Sequence, residues 1–189
     1  VHRLDEDGVW QDIDNSLEES VNYFSSSDAR IKFSKKIGGN GEIFTLHDGN
    51  TKITLYLEGA IKKTAGAARN NEDSEEDTKL SKLMNLEKLS STVTYSDILP
   101  SVDIEYIIHA NDIKENIIVK EKQDSYVYVF TLKLNNLTAV LDSSGDVIVS
   151  TEGGEVKYTI PAPVVYDANR SYAPREKAAY SLENAGDGK

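Results

Sequence analysis

Hydrophobic and polar residues alternate along much of this chain with the period of two that is typical of β-strands. In the clearest example Val102, Ile104 and Tyr106 would project to one face of a strand, and the intervening Asp103 and Glu105 to the other. The pattern predicts a half-buried strand. It indicates an architecture and no reaction.

This strand is expected to pair with the segment that follows it in a hairpin. A two-residue turn at 111–112 would place Ile104 opposite Val119 and Ile108 opposite Glu115. The apolar residues then share one face, and Glu115 lies on that face. A carboxylate there either extends past the core into water or is buried beside a cationic or hydrogen-bonding partner. Glu115 is therefore the candidate for a buried structural charge.

Further strands are expected before and after this hairpin. Asp48-Gly49-Asn50 lies between two alternating segments and is the clearest short hairpin signal in the chain. Many short strands separated by turns are typical of an all-β sandwich or barrel, and we predict an antiparallel β-sandwich. The expected strands are 9–13, 29–33, 42–46, 52–57, 92–95, 102–110, 113–122, 125–134, 137–141, 146–149, 156–160 and 164–166.

Residues 60–90 interrupt the strand pattern with an excursion. Its first part is rich in Ala, Gly and Lys, and Glu72–Asp77 is a nearly continuous acidic run. Ser74 with Asp77 resembles a capping box, and apolar residues follow at helical spacing. The excursion is therefore predicted to contain a short helix over 77–88, with a loop as the alternative.

Length and charge narrow the possible domain organisations and binding partners. A chain of 189 residues and 20.9 kDa suits a single β-rich domain over residues 1–189. Its abrupt first and last residues lead us to expect a piece of a larger multidomain chain. A net charge of −11 argues against nucleic acid and anionic lipid as partners. No run approaches the roughly 18 apolar residues of a membrane span, so no membrane insertion is expected.

Motifs of catalysis are sparse. Cysteine is absent, which excludes disulfides and thiol chemistry, and neither Gly-x-Ser-x-Gly nor His-Glu-x-x-His occurs. Asp103 and Glu105 would lie roughly 7 Å apart on one strand face, a spacing used by inverting glycosidases. The predicted register places Asp103 opposite Lys120, however, as on an ordinary solvated strand face. A glycoside hydrolase is therefore only the third hypothesis.

Two sets of residues are weak candidates for binding. Asp142 and Asp146 flank a turn whose oxygens could hold calcium, as could Asp5–Asp7, although neither matches an EF-hand loop and a plain turn is the alternative. No other cofactor is expected. Four tyrosines could form an exposed platform for sugar stacking, or could instead build the core. They are Tyr126, Tyr128, Tyr158 and Tyr166.

Several short motifs give the chain a family resemblance. They are Val93-Thr94-Tyr95, Leu99–Ile104, Lys114–Ile117, Gln123–Tyr126 and Ile160–Ala168. With these motifs the chain resembles the β-rich module upstream of the DNRLRE and RHS/YD-repeat regions of large bacterial wall-associated polypeptides. The segment from Val9 to Asn15 matches the usual start of that module, so the resemblance spans nearly the whole chain.

The resemblance implies an extracellular or cell-wall-associated location in a bacterium and a non-catalytic role. Neighbouring domains of the same polypeptide would be its partners, with cell-wall or other polysaccharide as a further candidate. We therefore expect a structural or interaction module that is not an enzyme, with a carbohydrate-binding module as the alternative. The resemblance supplies no catalytic residues.

Overall fold

A computed structural model describes residues 2–4, 10–12, 15–61, 66–69, 90–109, 112–169 and 178–186. The described residues form fifteen strands and no helix. The strands are β1 (His2–Leu4), β2 (Trp10–Asp12), β3 (Leu17–Glu19), β4 (Tyr23–Ser26), β5 (Ile31–Ser34), β6 (Glu42–Asp48), β7 (Thr51–Leu57), β8 (Gly66–Arg69), β9 (Ser90–Leu99), β10 (Val102–His109), β11 (Asp112–Val119), β12 (Phe130–Asn135), β13 (Thr138–Leu141), β14 (Val147–Ser150) and β15 (Val156–Ile160).

These strands form four sheets. The largest has the order β12-β7-β6-β5-β4-β3, and a four-stranded sheet has the order β11-β10-β9-β8. The strands β13, β14 and β15 form a third sheet, and β1 pairs with β2. Pairing is antiparallel in the hairpins of all four sheets. The predicted all-β, antiparallel class is confirmed.

By its internal contacts the chain divides into two compact units. One comprises residues 1–46 with 54–131, and the other comprises residues 47–53 with 132–189. That both belong to a single domain stays a prediction. The helix predicted over 77–88 lies outside the described residues, although β8 shows that the segment predicted as an excursion also contributes a strand to the four-stranded sheet.

Aromatic residues join the two larger sheets within the first unit. The rings of Phe33 on β5 and Phe44 on β6 each lie 5.5 Å from the ring of Tyr106 on β10. On β9 the hydroxyl of Tyr95 lies within hydrogen-bond distance of two carbonyl oxygens across the interface, 2.9 Å from Ser34 and 3.1 Å from Ile43. The two sheets therefore pack face to face, which confirms the predicted sandwich.

The register of the hairpin formed by β10 and β11 differs from the prediction. Asp112 is not in the turn but pairs with His109, so Tyr106 lies opposite Glu115, and Ile104 opposite Ile117. The predicted register is wrong by two residues, because β11 starts pairing at Asp112, one residue earlier than the predicted turn allows. A shift of two leaves every side chain on its predicted face, because side chains alternate with a period of two.

The sequence pattern also misplaced or missed several strands. A strand is predicted over 125–134, but β12 begins only at Phe130, and Val127 and Val129 before it are exposed. Alternating β-favouring residues therefore occur there outside a sheet ladder. The short strands β3 and β4 carry many Ser and Glu residues and have no clear apolar alternation. The hairpin around Gly49 is confirmed, with β6 and β7 as neighbours.

Candidate functional site

The core-facing side of the hairpin holds the most unusual polar contact among the described residues. The hydroxyl of Tyr106 donates a hydrogen bond of 2.9 Å to Oε2 of Glu115. Tyr106 is 1% exposed, whereas Glu115 is on an edge strand and is exposed as a residue. Glu115 thus lies on the apolar face, as the sequence predicts, and its partner there is a tyrosine.

This contact perturbs both groups. Although Glu115 is exposed as a whole residue, its carboxylate is part-buried where it contacts Tyr106, and this desolvation raises the pKa of Glu115 above its ordinary value. The hydrogen bond from Tyr106 acts in the opposite direction. Burial, followed by the negative charge of Glu115, raises the pKa of Tyr106 well above its ordinary value. Tyr106 is therefore a permanent donor at physiological pH, and Glu115 is an acceptor that holds its proton more readily than a solvated glutamate.

A second cluster lies at the turn between β9 and β10, on the opposite face of the hairpin. Nζ of Lys120 lies 2.5 Å from Oδ1 of Asp97 and 2.7 Å from Oδ1 of Asp103. Asp97, near the end of β9, and Ser101, in the turn, adopt positive φ angles of 49° and 55°. Asp103 also accepts a hydrogen bond of 2.6 Å from the backbone N–H of Asp97. Lys120 thus fixes a strained turn.

Asp103 and Glu105 do not form a hydrolytic pair. Burial acts to raise the pKa of Asp103, but Lys120 and the N–H of Asp97 outweigh it, and the pKa is lowered. Oε1 of Glu105 accepts a hydrogen bond of 2.9 Å from Asn116. Each carboxylate therefore has its own structural partner, and the lowered pKa of Asp103 is the opposite of what a general acid needs.

The acidic turn between β13 and β14 uses its carboxylates to hold the backbone. Oδ1 of Asp142 accepts hydrogen bonds from the N–H groups of Ser144 (2.8 Å) and Asp146 (3.0 Å), and these bonds hold its pKa below the ordinary value. Oδ1 of Asp146 accepts one of 2.7 Å from Ala162. Among the described residues no three His, Cys, Asp or Glu side chains are grouped as metal ligands. Calcium binding stays a prediction, and Asp5–Asp7 lie outside the described residues.

The four candidate tyrosines divide between the two units. Tyr126 is exposed and its hydroxyl accepts a hydrogen bond of 3.1 Å from the backbone N–H of Gln123, whose Oε1 lies 3.4 Å from the hydroxyl of Tyr128. Tyr158 and Tyr166 belong to the second unit, where Tyr166 is exposed. The first two tyrosines are therefore linked through Gln123, and a platform of all four stays a prediction.

The second unit contains a polar cleft that the sequence did not predict. It encloses about 290 Å³ and is open to solvent, and a hydrogen bond of 2.7 Å from Nδ2 of Asn136 to the carbonyl oxygen of Asn50 ties two of its walls together. Asn136 has a positive φ of 55°, as is common for Asn in tight turns. Three separate turns contribute to the cleft, so no local sequence motif marks it. Its lining residues are Asn50, Thr51, Asn136, Thr151, Glu152 and Gly153.

The chain is similar to proteins whose names specify an activity. It is 25% identical over 190 residues, 96% of its length, to the tRNA nuclease WapA of Bacillus subtilis strain 168. It is also 25% identical over 187 residues, 95% of its length, to the tRNA3(Ser)-specific nuclease WapA of Bacillus spizizenii. The chain spans only 8% of the length of these relatives. No family model matches it, and no solved structure matches it.

These relatives correct several expectations. The similar proteins are named as tRNA nucleases, not as modules upstream of DNRLRE or RHS/YD-repeat regions, and no family model supports that context, so the resemblance is wrong. The expected non-catalytic module, with its carbohydrate-binding and glycosidase alternatives, is contradicted by the same names. So are the absence of enzymatic activity and the exclusion of nucleic acid, and no finding supports polysaccharide as a partner.

The charge argument against nucleic acid fails for a physical reason. A net charge of −11 belongs to 189 residues, whereas the matched region is 8% of the relatives' length. Electrostatic attraction to phosphate depends on local patches of the complete polypeptide, so the net charge of one segment does not exclude it.

Within the described part of the chain, no helix is long and apolar enough to cross a membrane.

Proposed function

We propose that this chain is a β-sandwich segment of a longer polypeptide that acts as a nuclease on tRNA. The observation that carries the proposal is the alignment of 96% of the chain with proteins named as tRNA nucleases. A match that extends over nearly the whole chain supports a shared segment rather than a shared short motif. The extracellular or wall-associated bacterial location remains part of the proposal as a prediction.

The sandwich itself is suited to a segment of a long polypeptide. Its core is built within the chain, from the aromatic contacts among Phe33, Phe44, Tyr95 and Tyr106. Charged clusters such as Asp97, Asp103 and Lys120 stabilise turns through ion pairs. These side chains have structural roles, and we assign the nuclease activity to the complete polypeptide.

The test is cleavage of tRNA by the complete natural polypeptide that contains this sequence. Total tRNA is incubated with the purified protein, and the products are resolved on a denaturing gel and mapped by sequencing of their 3′ ends. We expect discrete cleavage of one or a few tRNA species, with duplex DNA left intact. Intact tRNA under all ion and pH conditions would overturn the proposal. The 189-residue chain in a parallel reaction shows whether it contains the cleaving residues.

A further inference from the structure

The outer edge of β11 has no strand partner among the described residues. In the four-stranded sheet β11 pairs with β10 on one side, and no described strand lies on its other side. The N–H of Lys120 donates a hydrogen bond of 2.9 Å to the carbonyl oxygen of Ser101, so the even-numbered residues of β11 direct their backbone groups toward β10. Hydrogen-bonded and non-hydrogen-bonded pairs alternate in an antiparallel ladder, and the odd-numbered residues therefore direct their backbone N–H and C=O groups away from β10. These are Ile113, Glu115, Ile117 and Val119.

This edge has several properties of a strand that can accept another strand. It is eight residues long, contains no proline and leaves Ile118 and Val119 42% and 37% exposed. Proteins protect such edges with proline, bulges, short strands or a charge that points toward the core side. On β11 the fourth of these devices is present, because Glu115 lies on the same face as the buried side chains of β10.

The surroundings of Glu115 contain few other groups that can carry charge. Tyr106 contacts it directly, and Tyr95 lies behind Tyr106 with ring centroids 6.3 Å apart. From the opposing sheet the neighbours of Tyr106 are the uncharged rings of Phe33 and Phe44. The charged side chains next to Glu115 along β11 belong to the other face of the sheet. Among the described residues, the ionised carboxylate therefore has no cationic partner on its own face.

Among the registers that would pair most of β11 with itself, the charge pattern selects one way for two copies to pair antiparallel through this edge. Pairing centred on residue 114 would oppose Lys114 with itself, and centring on residue 115 would oppose Glu115 with itself. Centring on residue 117 would oppose Lys114 with Lys120. Centring on Asn116 opposes no like charges and pairs Ile113 with the partner's Val119 through outward backbone groups.

In that register Glu115 lies opposite the partner's Ile117 on the core-facing side. Both copies would then bury a carboxylate beside an apolar side chain, which is costly for an ionised group and tolerable for a neutral, hydrogen-bonded one. We propose that the open edge of β11 is an interface for a second copy of this chain, and that the ionised carboxylate of Glu115 keeps this edge from pairing. Neutralisation of Glu115 then permits dimerisation. The burial that favours its protonated form supports this behaviour on acidification.

Sedimentation velocity at neutral pH tests the proposal. The wild-type chain and Glu152→Gln, a matched loss of one exposed charge in the second unit, are expected to remain monomeric over a wide concentration range. Glu115→Gln is expected to dimerise at least about tenfold more tightly than either. Equal association of Glu115→Gln and the wild type, or a wild type that already dimerises through this edge, would overturn the proposal.

Two second-site changes show whether the dimer uses β11. In the Glu115→Gln background, Ile117→Pro removes an outward N–H that the ladder with β10 does not need. Val119→Lys restores a charge to the same face without altering the backbone. Either change is expected to return the protein to a monomer, with circular dichroism confirming that it is folded. A dimer that persists in a folded double variant contradicts pairing through this edge.

Discussion

The strands β10 and β11 have similar apolar alternation but very different burial. On β10 the core-facing side chains are at most 3% exposed, whereas on β11 Ile113 and Ile117 are half-buried and Val119 is 37% exposed. The two strands are paired residue by residue, so register does not explain the contrast. The cause is position in the sheet, because among the described strands β10 has a neighbour on each side and β11 has a neighbour on one side.

The contrast explains why a carboxylate is tolerated at residue 115. A glutamate at a core-facing position of β10 would lose its water entirely, at a cost of several kcal/mol. At the edge Glu115 keeps access to solvent and gains the hydroxyl of Tyr106. An edge strand can thus carry a polar group on its apolar face, where it stabilises a buried donor and opposes pairing with another strand.

The largest predicted effect comes from truncating two isoleucines that lie directly opposite each other. Ile104 on β10 is 0% exposed and its partner Ile117 on β11 is half-buried. Ile104→Ala is expected to lower the free energy of unfolding by about 3–5 kcal/mol, because it leaves a cavity in the closed core. Ile117→Ala is expected to cost about 1–2 kcal/mol, since less apolar area is lost and solvent can fill the space.

Urea denaturation of both variants at low protein concentration measures this difference. The same substitution on both strands keeps the chemistry constant, so only position in the sheet differs. Equal losses for the two variants would show that β11 is as enclosed as β10 and would remove the basis of the comparison.

An intermediate effect is predicted for the two carboxylates on opposite faces of the hairpin. Glu115→Ala removes the acceptor of the buried Tyr106 hydroxyl and is expected to cost about 1–3 kcal/mol. Glu105→Ala removes a contact with Asn116 on the solvent-facing side and is expected to change stability by about 0.5 kcal/mol or less. Thermal unfolding of the two variants at neutral pH gives the comparison. A smaller effect at Glu115 than at Glu105 would mean that Tyr106 finds another acceptor.

Sequence patterns predicted individual strands and turns better than they predicted which strands lie next to each other in a sheet. The alternation in β10, the Gly49 hairpin and the turn at Asp142 are local features, and each is present in the structure. Whether a strand is central or at an edge depends on contacts distant in sequence, and alternation is the same in both cases. The face of Glu115 could therefore be predicted, but neither its partner Tyr106 nor its edge position could.

Other long-range features have the same origin. The four tyrosines share a residue type and an alternating pattern, and their division between two units is not visible in that pattern. The polar cleft beside Asn136 is formed by three turns that are far apart in sequence. Function was the least predictable property, because charge and missing motifs describe the segment, whereas the named activity belongs to relatives of which the chain spans 8%.

The smallest predicted effect is the pH dependence of stability, which should have opposite signs on the two faces of the hairpin. The pKa of Glu115 is raised from 4.5 in the folded protein, so the folded state binds its proton more tightly than the unfolded state does. The contribution of Glu115 is therefore fully present below pH 4.5 and is lost as the pH rises through the folded pKa. The pKa of Asp103 is lowered from 3.8, so its contribution is present above pH 3.8 and is lost as the pH falls.

Urea denaturation between pH 3 and pH 8, at protein concentrations where only monomer is present, separates these two contributions. Relative to Glu115→Gln, the wild type should lose stability as the pH rises from about 4.5 and then reach a plateau. Relative to Asp103→Asn, it should gain stability as the pH rises toward 3.8 and beyond, and high salt should weaken this gain because Lys120 is accessible to solvent. Profiles of the same sign for both carboxylates would mean that the two faces of the hairpin do not differ in how they solvate charge.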